Sequence, residues 1–204
     1  MKPYGLSNWR TLRSARWRTE DSETQFPETH WYSAQGQSLL VREQCPSDAQ
    51  LLARFWAAQS SDSRRFRFHG CVNFHPDTLQ RLSGEHMVVH LQGPHDSRIV
   101  AHACLAPSSQ PYVGEAEFAL IVDDRWQRVG VGMRLLRHLM RMSMEQSYRV
   151  LAGDVLASNR AMLGMLAHPG LCCSLHSNGR DIVRAEIPLS GSVLRGSNPL
   201  HESH

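Results

Sequence analysis

The chain has 204 residues, of which 41% are hydrophobic and 20% are charged, and its formal net charge is +3. This length and composition predict one folded α/β domain and exclude a wholly disordered chain. The charge is small and no stretch interleaves aromatic with dense basic residues, which argues against nucleic acid as a partner. Since the sequence shows neither a run of about 18 apolar residues nor a signal-peptide core, we expect a cytoplasmic protein that does not span a membrane.

Three segments of the chain differ in composition. Residues 1–37 have clustered basic residues followed by acidic and Ser/Thr-rich sequence, which predicts a partly disordered N-terminal extension. Residues 38–189 carry regular hydrophobic periodicity, which predicts one folded domain. Residues 190–204 are polar and rich in turn residues, so we expect a flexible C-terminal tail there.

Within the folded domain, hydrophobic patterns predict a series of strands and helices. The predicted strands in chain order are SLLVREQ, HMVVHLQ, RIVAHACLA, AEFALIV, YRVLAGDVL, LCCSLHS and DIVRAEIPL. The predicted helices are PSDAQLLARFWAAQ, HPDTLQRLS, residues 129–146 and residues 159–167. Their order, β-α-α-β-β-β-α-β-α-β-β, predicts an α/β (α+β) fold with a mixed sheet flanked by helices.

Cysteine and histidine give no sign of a metal centre. The five cysteines lack C-x-x-C spacing, which indicates structural thiols in a reducing compartment. His86 and His90 share a strand face and His102 lies on the hairpin partner, but no carboxylate or cysteine spacing completes a zinc set. We therefore predict no metal.

The stretch EAEFALIVDDRWQRVGVG joins a strand to a helix that begins near Val129. The first N–H groups of a helix lack intrahelical partners and carry partial positive charge. Gly130 and Gly132 have no Cβ, so an anion can approach these amides, and Arg128 and Arg134 add charge beside them. The junction therefore predicts a site for a phosphate or pyrophosphate.

Neither of two common phosphate-binding motifs fits this junction. A dinucleotide-binding turn would need a third glycine where Leu135 stands, and no G-x-x-x-x-G-K-[ST] run occurs. The remaining pattern, Q-x-x-G-x-G after a strand, resembles the pyrophosphate loop of the GNAT acyltransferases. The segments DVLASNRAMLGMLAHPGL and SLLVREQCPSDAQLLARFWAAQSSDSRRFRF are also similar to that family, and to its bacterial Pat-type protein lysine acetyltransferases in particular. The resemblance covers about residues 38–189.

This resemblance implies a mostly antiparallel sheet of six to seven strands, with acyl-CoA between two splayed parallel strands, EFALIV and YRVLAGDVL. Main chain at Ile121, Val122 and Asp123 would bind the pantetheine arm. Asn159 and Met162 would touch the pantetheine or the thiol end, although Asn159 is also an ordinary N-cap residue. The residues implied to hold the pyrophosphate are Gln127, Arg128, Val129, Gly130, Val131, Gly132 and Met133.

A general base is needed because a free amine with a pKa near 10.4 is protonated at neutral pH. Glu117 alternates with Ala119 and Ile121, so it shares their strand face, and the resemblance gives a glutamate at this position the role of general base. Glu115 is the alternative. The tyrosine that many GNAT enzymes use as general acid is replaced here by Leu166, which leaves that role unassigned.

The resulting hypothesis is an acetyl-CoA-dependent N-acetyltransferase that acts on a primary amine, with a protein lysine as the favoured acceptor. A small-molecule amine is the second acceptor class. A non-catalytic module that senses acyl-CoA is the alternative outside enzymes. The expected partners are acetyl-CoA and the acceptor amine, and a homodimer is left open.

Overall fold

The computed structural model describes residues 28–33, 35–69, 84–93, 97–108, 114–177, 179 and 181–189. The strands and α-helices in these ranges are, in chain order, β1 (Thr29–Tyr32), β2 (Ser38–Glu43), α1 (Ala49–Ala58), α2 (Ser61–Phe68), β3 (Glu85–Leu91), β4 (Arg98–Pro107), β5 (Glu115–Val122), α3 (Val131–Glu145), β6 (Val150–Leu156), α4 (Arg160–Leu166), β7 (Ser174–Ser177) and β8 (Ile182–Pro188). Among the helices in these ranges, none is both long and apolar enough to cross a membrane.

The strands form one sheet in the order β1-β2-β3-β4-β5-β6-β8-β7. Every neighbouring pair is antiparallel except β5 and β6, which confirms the predicted mixed, mostly antiparallel sheet. The strand count is a correction, because eight strands replace the six to seven expected. The added strand, β1, pairs with β2 and lies inside residues 1–37, so the sheet reaches into the segment predicted as an extension.

One described helix was absent from the prediction. Helix α2 (SDSRRFRF) buries Ser63 and Arg67, so it lacks the apolar stripe on which periodicity depends. Its N-cap is Ser60, whose hydroxyl accepts a hydrogen bond from the Ser63 N–H at 3.2 Å. The helix predicted from HPDTLQRLS lies outside the described residues.

Two hydrophobic clusters cover opposite faces of the sheet. The larger contains Leu135 and Leu139 of α3 and Leu166 of α4, together with Phe118 and Val122 of β5. The smaller contains residues of α1, such as Trp56, together with Ile121 of β5. Since successive strand side chains point to opposite faces, odd-numbered β5 side chains face α1 and even-numbered ones face α3.

The packing of Phe118 on Gly153 gives a stability prediction. A methyl group at Gly153 would lie 2.8 Å from Cε1 of the Phe118 ring, which is buried in the larger cluster. We expect Gly153→Ala to lower the free energy of unfolding by about 1–3 kcal/mol, measured by urea denaturation. Gly164→Ala is the matched control, because none of the residues that the structure describes lies within 4 Å of its added methyl and helix propensity favours alanine there. Equal stability of the two variants would contradict this packing.

Candidate active site

The parallel strands β5 and β6 pair at their beginnings and then separate. Their register contains only three positions, Glu115↔Val150, Ala116↔Leu151 and Glu117↔Ala152. Each strand nevertheless continues on its other side, β5 with β4 as far as Val122 and β6 with β8 as far as Leu156. A gap therefore opens between two intact strands, immediately after Glu117. We call this feature the fork.

Main-chain polar groups of β5 face the fork at alternate residues. The Asp123 N–H donates to the Val100 carbonyl at 2.9 Å, and the Glu115 carbonyl accepts from the Ser108 N–H at 3.1 Å. Odd-numbered residues of β5 therefore direct their N–H and C=O groups toward β4. Even-numbered residues after the last β5–β6 pair direct theirs into the gap, where no described strand pairs with them.

This alternation changes part of the predicted pantetheine contact. Of the three residues implied for it, Val122 directs its main chain into the fork, and its carbonyl also accepts a hydrogen bond from Nε2 of Gln127 at 3.1 Å. Ile121 directs its main chain toward β4, and so does the Asp123 N–H, whereas the Asp123 carbonyl accepts from the Trp126 N–H at 2.7 Å. The Asp123 carboxylate accepts from the N–H of Arg125 at 2.9 Å. Gln127 thus closes the turn after β5, and its amide is already hydrogen-bonded.

The turn before α3 has an unusual backbone that only some residues adopt readily. Arg128 has φ 61° and Gly130, the N-cap of α3, has φ 89°. Gly130 is exposed, and an added Cβ would meet no described residue within 4 Å, so no described part of the chain covers this helix end. An added Cβ at Gly132 would lie 3.3 Å from the Met165 sulfur, so this glycine lets α3 and α4 approach closely.

The other loop residues contribute mainly through their backbone. Val131 is buried, and Val129 and Met133 pack their side chains against the larger cluster. Together with the two glycines they present the unpaired N–H groups of a helix start to open space. The donor set and the absence of side chains over Gly130 fit a pyrophosphate, and exposed Arg128 and Arg134 fit its charge.

Asp124 fixes this loop against α2, which the sequence did not indicate. Its carboxylate accepts from the Ser63 hydroxyl at 2.5 Å, from the Ser60 N–H at 3.2 Å and from Nε2 of Gln127 at 2.9 Å. Burial alone would raise the pKa of Asp124, but the hydrogen bonds from Ser63 and Ser60 outweigh it and lower that pKa. Trp126 is buried in the larger cluster and anchors the same turn.

Helix α4 begins beside the fork and is capped by a predicted site residue. The side-chain oxygen of Asn159 accepts from the Met162 N–H at 3.1 Å, so the amide serves as an N-cap. Met162 is half-buried and packs against the larger cluster. Leu166 is fully buried, so the position offers neither a hydroxyl nor access to the fork.

Glu117 and Glu115 occupy different environments at the fork. The side chain of Glu117 is 22% exposed, and one of its carboxylate oxygens lies 3.1 Å from the Ser108 hydroxyl and 3.7 Å from Nη1 of Arg184. The side chain of Glu115 is 7% exposed and accepts hydrogen bonds from both Ser108 and Arg184. Glu115 is therefore engaged in the interior, and Glu117 is the more accessible carboxylate.

Arg184 of β8 balances the charge of this acidic cluster and was absent from the predicted site. Its guanidinium also approaches Asp154 of β6 at 3.3 Å and Glu186 at 4.0 Å. Burial disfavours the charged guanidinium, but the attraction of Asp154 and Glu115 outweighs it and raises the pKa of Arg184 above its usual value. Arg184 therefore stays charged and holds the carboxylates of β5 in place.

The histidines of β3 and β4 interact with one another. Nδ1 of His86 lies 3.2 Å from Nε2 of His102, whereas His90, beyond a register shift in β3, lies 3.1 Å from the Ser97 hydroxyl. His102 is fully buried, and burial with the neighbouring His86 lowers its pKa well below the usual value. In the part of the chain that the structure describes, no group of three or more His, Cys, Asp or Glu side chains is arranged to hold a metal ion.

A sheet with one splayed parallel pair and a glycine-containing turn between β5 and a long helix is the architecture of an acyl-CoA-dependent acyltransferase. The model of the Acetyltransferase (GNAT) family matches residues 8–168. The chain belongs to this family and is an acyltransferase, which confirms the resemblance found in the sequence. No curated protein sequence matches the chain.

Solved structures share this fold at low sequence identity. The GNAT domain of S. lividans PAT is 22% identical, with a TM-score of 0.69 over 80% of this chain and 99% of that one. The ribosomal-protein-S5-alanine acetyltransferase of Vibrio fischeri is 14% identical, with a TM-score of 0.65 over 81% of this chain and 98% of that one. An N-acetyltransferase from Staphylococcus aureus Mu50 is 16% identical, with a TM-score of 0.58 over 74% of this chain and 99% of that one.

The turn at Gly130 yields a prediction for cosubstrate binding. We expect Gly130→Ala to weaken CoA binding by about tenfold, because the methyl group enters the space through which an anion approaches the amides. The positive φ adds about 1 kcal/mol of strain to the folded state. Gly179→Ala is the matched control, since Gly179 also has positive φ and open surroundings but lies next to β7, outside the turn. Calorimetric titration with CoA should show a lower affinity for Gly130→Ala than for Gly179→Ala. Equal losses of CoA affinity in the two variants would contradict a role of the Gly130 turn in CoA binding.

Proposed function

We propose that the protein transfers an acetyl group from acetyl-CoA to a primary amine, with a protein lysine as the acceptor and Glu117 as general base. The observation that carries this proposal is the position of Glu117. It is the last paired residue before the fork opens, and its side chain lies on the α1 face of the sheet. The Glu117 carboxylate therefore lies at the opening of the fork on the α1 face of the sheet, and we place the acceptor amine on that face.

The chain offers a distinct group for each part of the cosubstrate. The N–H groups at the start of α3, with Arg128 and Arg134, would hold the pyrophosphate, and the main chain of Val122 would bind the pantetheine arm. Met162 and the capped start of α4 would border the thiol end. When bound, acetyl-CoA supplies an activated acyl carbonyl with a thiolate as leaving group. The protein's part is to orient that carbonyl toward the α1 face.

Proton removal from the acceptor is the chemical task of Glu117. A lysine amine attacks only after it loses its proton, and a positioned carboxylate accepts that proton directly or through one water. The Ser108 hydroxyl shares its one hydrogen between Glu115 and Glu117, and Arg184 lies close to Glu117, so the Glu117 carboxylate is oriented. The same contacts leave it partly exposed.

The charge of the acceptor side supports a cationic acceptor. Asp154 and Glu186 lie on the same sheet face as Glu117, and their side chains are 47% and 42% exposed. An acidic rim of this kind attracts a lysine side chain and would equally attract a small polyamine. Similarity to the GNAT domain of PAT, and to an acetyltransferase named for a ribosomal protein, favours a protein acceptor. A protein lysine is therefore the proposed acceptor, and a small amine is the alternative against which it is tested.

An acceptor screen with labelled cosubstrate tests the proposal. The protein is incubated with radiolabelled acetyl-CoA and either a desalted cell lysate or a panel of small amines. We expect label in macromolecules, released as acetyl-lysine after digestion. Label confined to small amines would reassign the acceptor, and absence of label in both would favour a module that binds acyl-CoA without transferring the acyl group.

A further inference from the structure

A basic cavity lies between β1 and α3, at the end of the sheet away from the fork. Its volume is about 230 Å³. β1 is the edge strand, and β2, β3 and β4 separate it from β5. The residues that line the cavity are Thr29, Trp31, Arg134, Arg137, His138 and Arg141.

Three arginines face this cavity from one side of α3. Arg134, Arg137 and Arg141 stand at i, i+3 and i+7, so their guanidinium groups follow one stripe of the helix. Like charges at this spacing repel each other. None of the lining residues is acidic, and the salt bridges among described residues involve other cations. Within the described part of the chain, this stripe is therefore a concentration of positive charge that an anion would relieve.

His138 adds a buried polar side chain to the lining of this cavity. The residue is 5% exposed, and its Nε2 has no hydrogen-bond partner among the described residues. Burial, with the positive charge of Arg141, lowers the pKa of His138 to about 4, so the ring is neutral at pH 7. A neutral imidazole can carry its proton on Nε2 and donate it to an anion. An unpaired buried donor is costly to keep, which points to an absent partner.

The remaining wall is aromatic. The rings of Trp31 and His138 meet edge to face, with centroids 6.4 Å apart. Trp31 is half-buried against the larger cluster, so its position is fixed by packing. A fixed aromatic wall beside three guanidinium groups accommodates a compact anion, and it offers a stacking surface if the anion carries a ring.

We propose that this cavity is a second anion site, which binds a phosphate or pyrophosphate group, either free or as part of a small phosphorylated molecule. Arg137, Arg141 and His138 would hold that group, because Arg134 at the shared border is already assigned to the pyrophosphate of CoA. Guanidinium groups match phosphate oxygens with paired hydrogen bonds, and Nε2 of His138 supplies a further donor. The volume falls below the roughly 300 Å³ at which sites for whole drug-sized ligands begin, so it suits the charged group itself.

Calorimetry with inorganic pyrophosphate tests the site on the full chain saturated with CoA. We expect pyrophosphate to bind with CoA present, and the Arg137→Ala/Arg141→Ala variant to bind about tenfold or more weakly. Arg54→Ala is the matched control, because Arg54 is an exposed arginine of α1 on the other face of the sheet. Equal affinity in both variants, or loss of pyrophosphate binding when CoA is present, would overturn the proposal.

His138→Leu separates a binding role from a structural one. We expect this variant to match or exceed the thermal stability of the unmodified protein, since it removes an unsatisfied buried nitrogen, and to bind pyrophosphate severalfold more weakly. Unchanged affinity would contradict the role of His138. A parallel titration with AMP identifies the source of the phosphate: tighter binding than pyrophosphate assigns a nucleotide, and weaker binding assigns the inorganic anion. Failure of both probes to bind would exclude the site.

Discussion

Replacing Glu117 with glutamine should lower kcat by about 10² to 10⁴ while CoA affinity stays within about twofold. The substitution keeps the size of the side chain and an oxygen facing the Ser108 hydroxyl but removes the carboxylate that accepts the proton. Because Glu117 lies on the α1 face, the change leaves the α3 turn and the main chain of Val122 untouched. Steady-state kinetics with an amine acceptor measure kcat, and calorimetry with CoA measures the affinity for CoA.

The controls for this substitution address each alternative. Glu145→Gln neutralises an exposed carboxylate at the end of α3 and should leave both quantities unchanged. If Glu117→Gln keeps full turnover, the base lies elsewhere. A variant that loses CoA binding in parallel with turnover would indicate a structural role. Should the unmodified protein show no turnover with any amine, a module that senses acyl-CoA becomes the better explanation.

How much of the fold could be predicted depended on how each element is stabilised. Strand β5 and helix α3 are long and carry strong hydrophobic periodicity, so the sequence located them within a residue or two. Helix α2 buries a serine and an arginine, and its start is set by the Ser60 cap, so no apolar pattern marks it. Strand β1 has four residues and is held by pairing with β2, which no local pattern reveals.

The residues of the candidate site likewise fall into those that local sequence predicts and those that depend on distant partners. The turn with Gly130 and Gly132 was predictable, because the conformation and the close approach it needs leave glycine as the residue of choice. Asp124 and Arg184 were not predictable, since their partners lie 61 and 69 positions away in the chain. The local signal of Arg184 was a charged residue between the apolar residues Val183 and Ala185 of β8. It indicates a buried partner but does not identify it.

The second large effect concerns Arg184, whose replacement by methionine should lower the free energy of unfolding by about 3 kcal/mol. Methionine preserves most of the buried volume but leaves Glu115 as a charged group in the interior with Ser108 as its remaining described donor. Removal of one member of a buried ion pair is costly mainly because the other charge stays behind uncompensated. Urea denaturation measures this loss of unfolding free energy. The dependence of that free energy on urea concentration is compared between variants, because an unchanged slope shows that stability alone has changed.

A double-mutant cycle identifies the source of that loss. Glu115→Gln alone should cost less than Arg184→Met, because Arg184 keeps Asp154, Glu117 and Glu186 as neighbours. When Glu115→Gln is added to Arg184→Met, much of the lost stability should return, because the stranded charge is gone. Strictly additive losses would show that the stability lost with Arg184 does not come from the uncompensated charge of Glu115. Arg184 also lies beside Glu117. If the double variant regains stability but turns over more slowly than the unmodified protein, Arg184 orients the general base in addition to stabilising the fold.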